Sequence, residues 1–304
     1  MQSLICWDQT SAKPHYQLTL RPGLRIAEQT ARLRALGIPP LFGIRQGLGA
    51  IDRLAHWNGG LAVARSPGGT GVEFSDIAIA ERASVHEYDS KRLMARLGLR
   101  TTRERLVATA DDAASAAEEI GYPVVLKAVS DAIPHKSDLG LVIVGVATSA
   151  ELASAWETLT ARLAEVGAAA EFLVQEMVSD GIEVFVGVAH HSGFGHVLAV
   201  GLGGVELELQ DDTALRMLPL REGDAEQMIA EIRGAARFEA FRRRPAYDTK
   251  SLTACLYTIS ELIAATGDVI REIDLNPIKL LPAGEGCVIV DALILPMVQE
   301  GETP

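Results

Sequence analysis

A chain of 304 residues that is 48% hydrophobic can bury the cores of about two compact units, so its composition predicts a folded globular protein. The formal net charge of -12 excludes a broad basic face for nucleic acid or an anionic membrane, and any bound anion must be met by a local site. The three cysteines form no CxxC pair, which predicts neither a disulfide scaffold nor a zinc site and favours a reducing compartment.

The N-terminal residues predict neither secretion nor membrane insertion. The stretch MQSLICWDQTSAK lacks the basic start and apolar run of a signal peptide. The chain also contains no uninterrupted run of about 18 apolar residues, the length that a membrane span requires. We therefore expect a cytoplasmic protein.

Residues 1–75 are predicted to form a partial α/β segment and a linker. GLRIAEQTARLRALGIPPLFG predicts an amphipathic helix that stops at Gly37, followed by a short strand, and LGAIDRLAHW predicts a second helix. Residues 66–76, SPGGTGVEFSD, are rich in turn formers. The charge changes at the same place, since residues 1–80 carry 8 Lys and Arg against 5 Asp and Glu and the remainder carries 20 against 35. We place a domain boundary there.

Residues 81–300 predict a second domain of the α+β class, with two subdomains and with strands grouped late in the chain. Asp89 is the candidate N-cap of its first helix. The hydrophobic patterns predict helices at 89–97, 111–120, 149–166, 224–232 and 249–266, and strands at 104–108, 123–129 and 141–146 and in FLVQEMV, GIEVFVGVAHH, HVLAVGLGG, REIDLNPIKLL and CVIVDALIL.

A lysine interrupts the apolar strand predicted at 123–129. Lys127 shares a strand face with Val125 and Val129, where a charge is costly to bury unless an anion or a carboxylate meets it. A phosphate would serve as that anion. The alternative is that Lys127 lies at the strand end and reaches solvent.

Oxygen-bearing side chains mark the last two predicted strands. Asp274 and Asn276 project to one strand face because they are two residues apart, and Asp291 ends the next strand after a turn that contains Gly284 and Gly286. If the strands form a hairpin, Asp291 lies opposite Asn276, and such oxygen ligands suit Mg²⁺ when phosphate and water complete its octahedron. The alternative is that Asp291 caps a turn and that Asn276 shapes one.

Two further stretches carry weaker signals. Glycines in AVGLGG would let backbone N–H groups approach an anion, although a glycine turn kept for packing is the alternative and no complete GxGxxG or Walker A pattern is present. VQEMVSDGIEVFVGV could form a cleft whose backbone reads adenine and whose carboxylate holds ribose hydroxyls. An ordinary hairpin with an exposed glutamate is the alternative to that cleft.

Taken together, these stretches resemble the ATP-grasp domain of the NDP-forming acyl-CoA synthetases, the family of ADP-forming acetate-CoA ligase, which is related to succinyl-CoA synthetase. The resemblance covers residues 81 to 297. It rests on YDSKRLMARLGL, GYPVVLKAVSDAIPHKSD, VQEMVSDGIEVFVGV with GFGHVLAVGLGGVELELQDD, LRMLPL, and DLNPIKLLPAGEGCVIVDALI. It implies an ATP-grasp fold of two subdomains with ATP and Mg²⁺ as cofactors.

The resemblance also implies roles for individual residues. Arg216 would stabilise the transferred phosphoryl group. His135 would take part in a phosphate relay, because neutral imidazole is nucleophilic and forms a labile N–P bond, and Asp138 would hold its tautomer. The implied nucleotide-binding residues are Lys127, Gln175, Glu176, Met177, Val178, Glu183, Gly203 and Gly204, and the implied magnesium ligands are Asp274, Asn276 and Asp291.

The CoA-binding domain and the main phosphohistidine domain of that family have no match in the sequence. Residues 20–62 resemble the last helix, strand and helix of its flavodoxin-like CoA-ligase domain, on the GIPPLFG stretch. The resemblance therefore implies an ATP-binding, phosphoryl-transferring subunit or fragment of an ADP-forming acyl-CoA synthetase that needs an α-type partner. The resemblance leaves open whether the chain is a natural subunit, the product of a truncated gene or the product of a misplaced start. The functional alternatives are a non-catalytic nucleotide-binding regulatory or scaffold module and a carboxylate ligase with an amine acceptor.

Overall fold

The computed structural model describes ten stretches of the chain. The described residues divide into two compact units, one within residues 1–64 and the other within residues 65–304. No helix among them is both long and apolar enough to cross a membrane. The described stretches are 17–19, 26–35, 40–44, 47–52, 85–129, 140–167, 170–204, 212–242, 245–266 and 269–297.

The first unit contains a parallel strand pair joined by a helix. Strand β1 (Gln17–Thr19) pairs in parallel with β2 (Pro40–Phe42), and α1 (Ile26–Ala35) connects them. A parallel pair needs such a crossover connection. Residues 47–52 are helical. The predicted helix and strand are confirmed, and so is the described part of the second predicted helix.

The second unit opens with helix α2 (Glu87–Arg96), which begins earlier than the sequence predicted. The prediction of Asp89 as its N-cap is wrong. The cap is His86, whose side chain accepts a hydrogen bond from the backbone N–H of Asp89 at 3.5 Å. The earlier start places Glu87 in the first turn of the helix, with its side chain in the protein interior.

A four-stranded antiparallel sheet, the small sheet, follows α2. Its strand order is β3-β6-β4-β5, and two helices pack on one of its faces. Apolar residues such as Leu126, Leu159 and Val174 form the core between this sheet and those helices. The elements are β3 (Glu104–Val107), α3 (Ala110–Ile120), β4 (Val124–Val129), β5 (Val142–Val146), α4 (Ser149–Val166) and β6 (Glu171–Glu176).

The remaining strands form a second antiparallel sheet, the large sheet. Its order is β11-β10-β7-β8-β9, and β12 also pairs with β10. Helices α2, α5 and α6 contribute to its core with residues such as Met94, Met228 and Leu256. The elements are β7 (Ile182–His191), β8 (Gly195–Leu202), β9 (Thr213–Met217), α5 (Asp224–Glu231), a 3₁₀ turn (Ala235–Phe238), α6 (Thr249–Thr266), β10 (Ile270–Leu280), β11 (Cys287–Ile289) and β12 (Leu293–Pro296).

The large sheet is buried on one face and more open on the other. Along β7 the side chains alternate between buried and half-buried positions, as expected for a strand with one face toward a core. Cross-strand pairing places Asp274, Gly187, Ala199 and Leu215 on the second, more open face. Leu215 is 54% exposed there. The predicted α+β fold with two subdomains is confirmed.

Candidate functional site

A buried ammonium group lies where the small sheet meets the large-sheet part of the unit. Lys127, on β4, is 5% exposed. Its Nζ donates to Glu87 Oε1 at 2.6 Å and lies 3.4 Å from Asp291 Oδ2. The alternative in which Lys127 reaches solvent at the strand end is therefore wrong, because every residue of β4 is buried and two carboxylates meet the charge of the lysine.

A second buried lysine shares the same carboxylate. Lys91 lies one turn after Glu87 on α2, and its Nζ donates to Glu87 Oε1 at 2.7 Å. The same ammonium contacts Glu104 on β3 and donates to the carbonyl of Val290 at 3.1 Å. Lys127 and Lys91 thus converge on one oxygen of Glu87. We call Glu87, Lys91, Glu104, Lys127 and Asp291 the buried charge cluster.

Burial and charge act against each other in this cluster. Burial by itself lowers the pKa of Lys127, but Asp291, Glu87 and Glu104 together outweigh it, so the pKa of Lys127 is raised above its ordinary value. The pKa of Glu104 is also raised, because its desolvation outweighs the opposing effect of Lys91. Lys127 therefore keeps its positive charge at neutral pH and is suited to meet a phosphate.

Gln175 lies on the same face of the small sheet as Lys127, because the two strands pair Val125 with Gln175. Its side chain is fully buried, and Nε2 donates to the carbonyl of Val290 at 3.0 Å. Its Oε1 has no hydrogen-bond partner among the residues that the structure describes. A buried acceptor without a partner is costly, so a donor group supplied by a ligand fits this position.

The residues after Gln175 connect the two sheets. Glu176 ends β6, and its carboxylate accepts from the backbone N–H of Arg103 at 2.9 Å and from Arg103 Nε at 2.7 Å. Met177 is 37% exposed and Val178 is half-buried. This connection leaves the exposed apolar side chain of Met177 beside the junction of the sheets, which suits contact with a flat base.

The predicted hairpin of β10 and β11 is confirmed, and its register brings Asn276 and Asp291 to the same level. Ile278 pairs with Ile289, and the N–H of Val290 donates to the carbonyl of Pro277 at 3.0 Å. Asn276 is exposed, whereas Asp274 and Asp291 are half-buried. Carboxylate and amide oxygens at an accessible edge suit a hard cation that keeps water and phosphate ligands.

Asp248 holds the turn of that hairpin. Its Oδ2 accepts from the N–H groups of Gly284 and Gly286 at 3.0 and 3.1 Å, and its Oδ1 accepts from the N–H of Ser251. Both glycines have positive φ, at 90° and 87°, which other residues rarely adopt. Desolvation raises the pKa of Asp248, but these backbone hydrogen bonds outweigh it and hold the pKa below its ordinary value.

Glu183 lies beside the glycines at the end of β8. Its carbonyl accepts from the N–H of Gly203 at 2.8 Å, and its Oε1 lies 3.0 Å from Lys279 Nζ. A Cβ on Gly203 would lie 3.2 Å from the Cβ of Glu183, a tight contact that a larger residue could make only if Glu183 shifted slightly. Gly204 has a φ of 99°, and a Cβ built on it would lie 3.7 Å from Glu183 Oε2. Close packing against Glu183 therefore favours glycine at position 203, whether or not a ligand also approaches it.

Arg216 lies on the other face of the large sheet. It pairs across the strands with Leu198, whose side chain is in the core. Both of its terminal nitrogens contact Glu231 on α5, at 2.9 and 2.6 Å. The structure does not bring Arg216 to the buried charge cluster, and its role in phosphoryl transfer stays a prediction.

His135 and Asp138 fall within residues 130–139, outside the described residues.

The sequence did not point to Glu87, Lys91 or Glu104. The signal was present for the first two, because a Glu and a Lys four residues apart lie on one face of a helix. Their burial was not predicted, since such pairs are more often on a solvated face. Within the described ranges, no group of three or more His, Cys, Asp or Glu side chains is arranged to hold a metal.

Comparison with known proteins agrees with this geometry. Residues 77–295 match the ATP-grasp domain. The ADP-forming acetate-CoA ligase II subunit beta of Pyrococcus furiosus is 36% identical over 217 residues, which are 70% of this chain and 92% of that subunit. Two longer curated relatives match over only 32% and 30% of their own length, so the chain spans about a third of those proteins.

Solved structures show the same likeness. PH1788 from Pyrococcus horikoshii matches at 36% sequence identity and a TM-score of 0.68, over 72% of this chain and 94% of that one. The dinucleotide forming acetyl-coenzyme A synthetase 1 of Ca. Korarchaeum cryptofilum, in complex with coenzyme A and Mg-AMPPCP, matches at 33% identity and a TM-score of 0.61, over 71% of this chain and 94% of that one.

Two helix-backed antiparallel sheets, with a buried lysine on one and an Asn–Asp pair on a hairpin of the other, define a protein of the ATP-grasp class. The chain belongs to the ATP-grasp family. Within that family it corresponds to the β subunit of the NDP-forming acyl-CoA synthetases.

Proposed function

We propose that the chain is the ATP-binding, phosphoryl-transferring subunit of an ADP-forming acyl-CoA synthetase, which converts an acid, CoA and ATP to acyl-CoA, ADP and phosphate. The observation that carries this proposal is the enclosed Lys127 ammonium, which two carboxylates keep charged at the junction of the two sheets. The names of the relatives support the reaction class, since they are ADP-forming CoA ligases.

In this proposal the residues at the junction bind and orient ATP. Lys127 donates to its phosphates, because a charged donor in a desolvated site stabilises phosphate charge strongly. Glu183 orients the ribose, and the glycines at the end of β8 approach the phosphates. The adenine lies against the end of β6 and the connection that follows it, at Gln175, Glu176, Met177 and Val178. The glycines that approach the phosphates are Gly203 and Gly204.

Asp274, Asn276 and Asp291 are proposed to hold Mg²⁺. Their oxygens suit this ion, which when bound neutralises phosphate charge during transfer. Asp291 lies 3.4 Å from Lys127, so one carboxylate can be shared between the lysine and the cation site. The Korarchaeum protein was solved with Mg-AMPPCP, which supports a magnesium-bound nucleotide in this proposal.

The relay residues complete the proposal. His135 accepts and passes on a phosphoryl group, and Asp138 orients its imidazole. Arg216 neutralises the charge that develops on the transferred group. In the Korarchaeum complex a phosphohistidine segment points towards the nucleotide binding site, which supports a second histidine as the other party in the transfer.

We further propose that residues 1–75 are a ligase-domain segment with a linker, that residues 81–300 are the ATP-grasp domain, and that an α-type subunit supplies the CoA-binding and phosphohistidine domains. The subunit nature of the Pyrococcus relative supports this division. The free thiols Cys255 and Cys287 fit the cytoplasm as the location.

The test combines binding and turnover. The purified chain should bind Mg-ATP in calorimetric titration and make no acyl-CoA by itself. Adding an α-type subunit, an acid and CoA should restore acyl-CoA formation, and His135→Ala should remove it without loss of ATP binding. Tight ATP binding without phosphoryl transfer to the supplied α-type subunit would favour the non-catalytic nucleotide-binding module instead.

A further inference from the structure

Glu87 is the most enclosed charge beside Lys127, although it belongs to none of the proposed ligand-binding groups. Its side chain is fully buried, at 0% exposure. One oxygen, Oε1, accepts from Lys127 Nζ at 2.6 Å and from Lys91 Nζ at 2.7 Å. A carboxylate in this environment is costly unless it is paired and hydrogen-bonded, so its presence needs a physical reason.

The position of Glu87 in the fold supplies that reason. Helix α2, which carries it, packs in the core of the large sheet through Leu93 and Met94. Lys127 lies on the small sheet. The contact between Glu87 and Lys127 therefore joins the two halves of the unit at the place where Asp291 also approaches the lysine.

Lys91 in turn fixes Glu87. Its ammonium contacts Glu104, donates to the carbonyl of Val290 at 3.1 Å and lies 3.4 Å from Thr102 Oγ1. These partners come from β3, from the residues just before it and from the residues just after β11. Lys91 is thus held from several sides, and so is the carboxylate that it shares with Lys127.

We propose that Glu87 is a positioning residue for ATP binding, which holds the Lys127 ammonium beside Asp291 while Lys91 holds Glu87. A lysine side chain has four rotatable bonds, and ordering it on binding is unfavourable. A lysine that is held in place before the ligand arrives avoids that loss. The inference rests on the proposed function, in which Lys127 meets the phosphates of ATP.

The test measures nucleotide affinity of the full-length chain by isothermal titration with Mg-ATP and, separately, with adenosine. Adenosine reports on the base and ribose contacts and has no phosphate for Lys127 to meet. The proteins are the wild type, Lys127→Met, Glu87→Gln and the double variant. The matched control is Glu119→Gln, which removes the carboxylate of an exposed pair with Arg105.

We expect Glu87→Gln to bind Mg-ATP about tenfold more weakly, which corresponds to ~1.4 kcal/mol. Adenosine affinity should stay at the wild-type value. In the Lys127→Met background the same substitution should have no further effect on ATP affinity, because Glu87 acts through Lys127. A purely structural role would weaken ATP and adenosine alike and would add to the effect of Lys127→Met.

Three results would overturn the inference. The first is wild-type ATP affinity in Glu87→Gln together with impaired binding in Lys127→Met, which leaves the proposed function standing. The second is full additivity of the two substitutions. The third is unchanged ATP affinity in Lys127→Met or no ATP binding by the wild type, which removes the proposed role of Lys127 as well.

A second variant covers the case in which Glu87→Gln does not fold. Glu87→Asp keeps the buried negative charge but shortens the side chain, so that one oxygen no longer reaches both ammonium groups. We expect it to weaken Mg-ATP and leave adenosine unchanged. Wild-type affinity of Glu87→Asp for Mg-ATP would contradict the proposal.

Discussion

Replacing Lys127 by methionine should reveal how much the buried charge contributes to stability and how much it contributes to nucleotide binding. Methionine keeps most of the apolar stem and removes the ammonium that Glu87 and Asp291 share. Breaking an isolated buried ion pair costs about 3–5 kcal/mol. Here Glu87 keeps Lys91 at 2.7 Å and Asp291 is 33% exposed, so we expect a smaller loss of about 1–3 kcal/mol in the free energy of unfolding.

Urea denaturation at pH 7 measures this loss, and Arg105→Met is the control. Arg105 forms an exposed pair with Glu119 at 3.1 Å, and its removal should cost less than about 1 kcal/mol. Because the folded-state pKa of Lys127 is raised above 10.5, its stabilising contribution is fully present below that value and is lost only at higher pH. The difference in unfolding free energy between the wild type and Lys127→Met should therefore be the same at pH 7 and at pH 9.

The same proteins then show whether the lysine meets ATP. At a nucleotide concentration 100 times its Kd, the wild type should gain about 2.7 kcal/mol of stability, whereas Lys127→Met should gain far less. Equal stabilisation of both proteins by Mg-ATP would refute the reasoning. So would a Lys127→Met protein that is as stable as the Arg105→Met control.

Three further perturbations test other parts of the structure. Asp248→Ala should lower the unfolding free energy by about 1–2 kcal/mol at pH 7 in urea, because the hairpin turn and the start of α6 lose a shared acceptor. Since the folded-state pKa of Asp248 is lowered below 3.8, that stabilisation is present above pH 3.8 and is lost as the pH falls through the folded pKa. The difference in unfolding free energy between the wild type and Asp248→Ala should therefore disappear in acid. Asp291→Asn should raise the Mg²⁺ concentration needed for ATP binding by about tenfold, and a titration in which wild type and variant coincide would exclude Asp291 as a ligand. Arg216→Met should cost about 1–2 kcal/mol of stability, because it removes a bidentate pair with Glu231, and unchanged transfer rates with the α-type subunit would exclude its role in phosphoryl transfer.

The sequence predicted the strands well where a local pattern carried the information. Three local patterns predicted a strand or a turn from neighbouring residues alone. They are the apolar run around Lys127, the alternation in β7 and the turn glycines between β10 and β11. The spacing of Asp274 and Asn276 likewise placed them on one strand face before the hairpin register was known. All of these features lie in stretches that also carried the resemblance to the acyl-CoA synthetases.

The sequence was less informative about where a helix begins and about which face of a sheet a residue occupies. Asp89 was predicted as the cap of α2, although His86 takes that role and the helix begins earlier. Arg216 was predicted from its motif, but the pairing of β9 with β8 places it on the core-side face with Glu231. Strand pairing decides which face a residue occupies, and a one-residue change in register would reverse it.

Hydrophobic periodicity and short motifs are local properties, so the amino-acid sequence was enough to predict the α+β class, the order of the elements and the candidate residues for ATP. The contacts of Lys127 with Glu87, 40 positions away, and with Asp291, 164 positions away, became visible only in the folded chain. Neither contact is encoded by a spacing along the chain. Each depends on how two sheets and one helix pack together, and the cost of burying a charge then requires that opposite charges meet there.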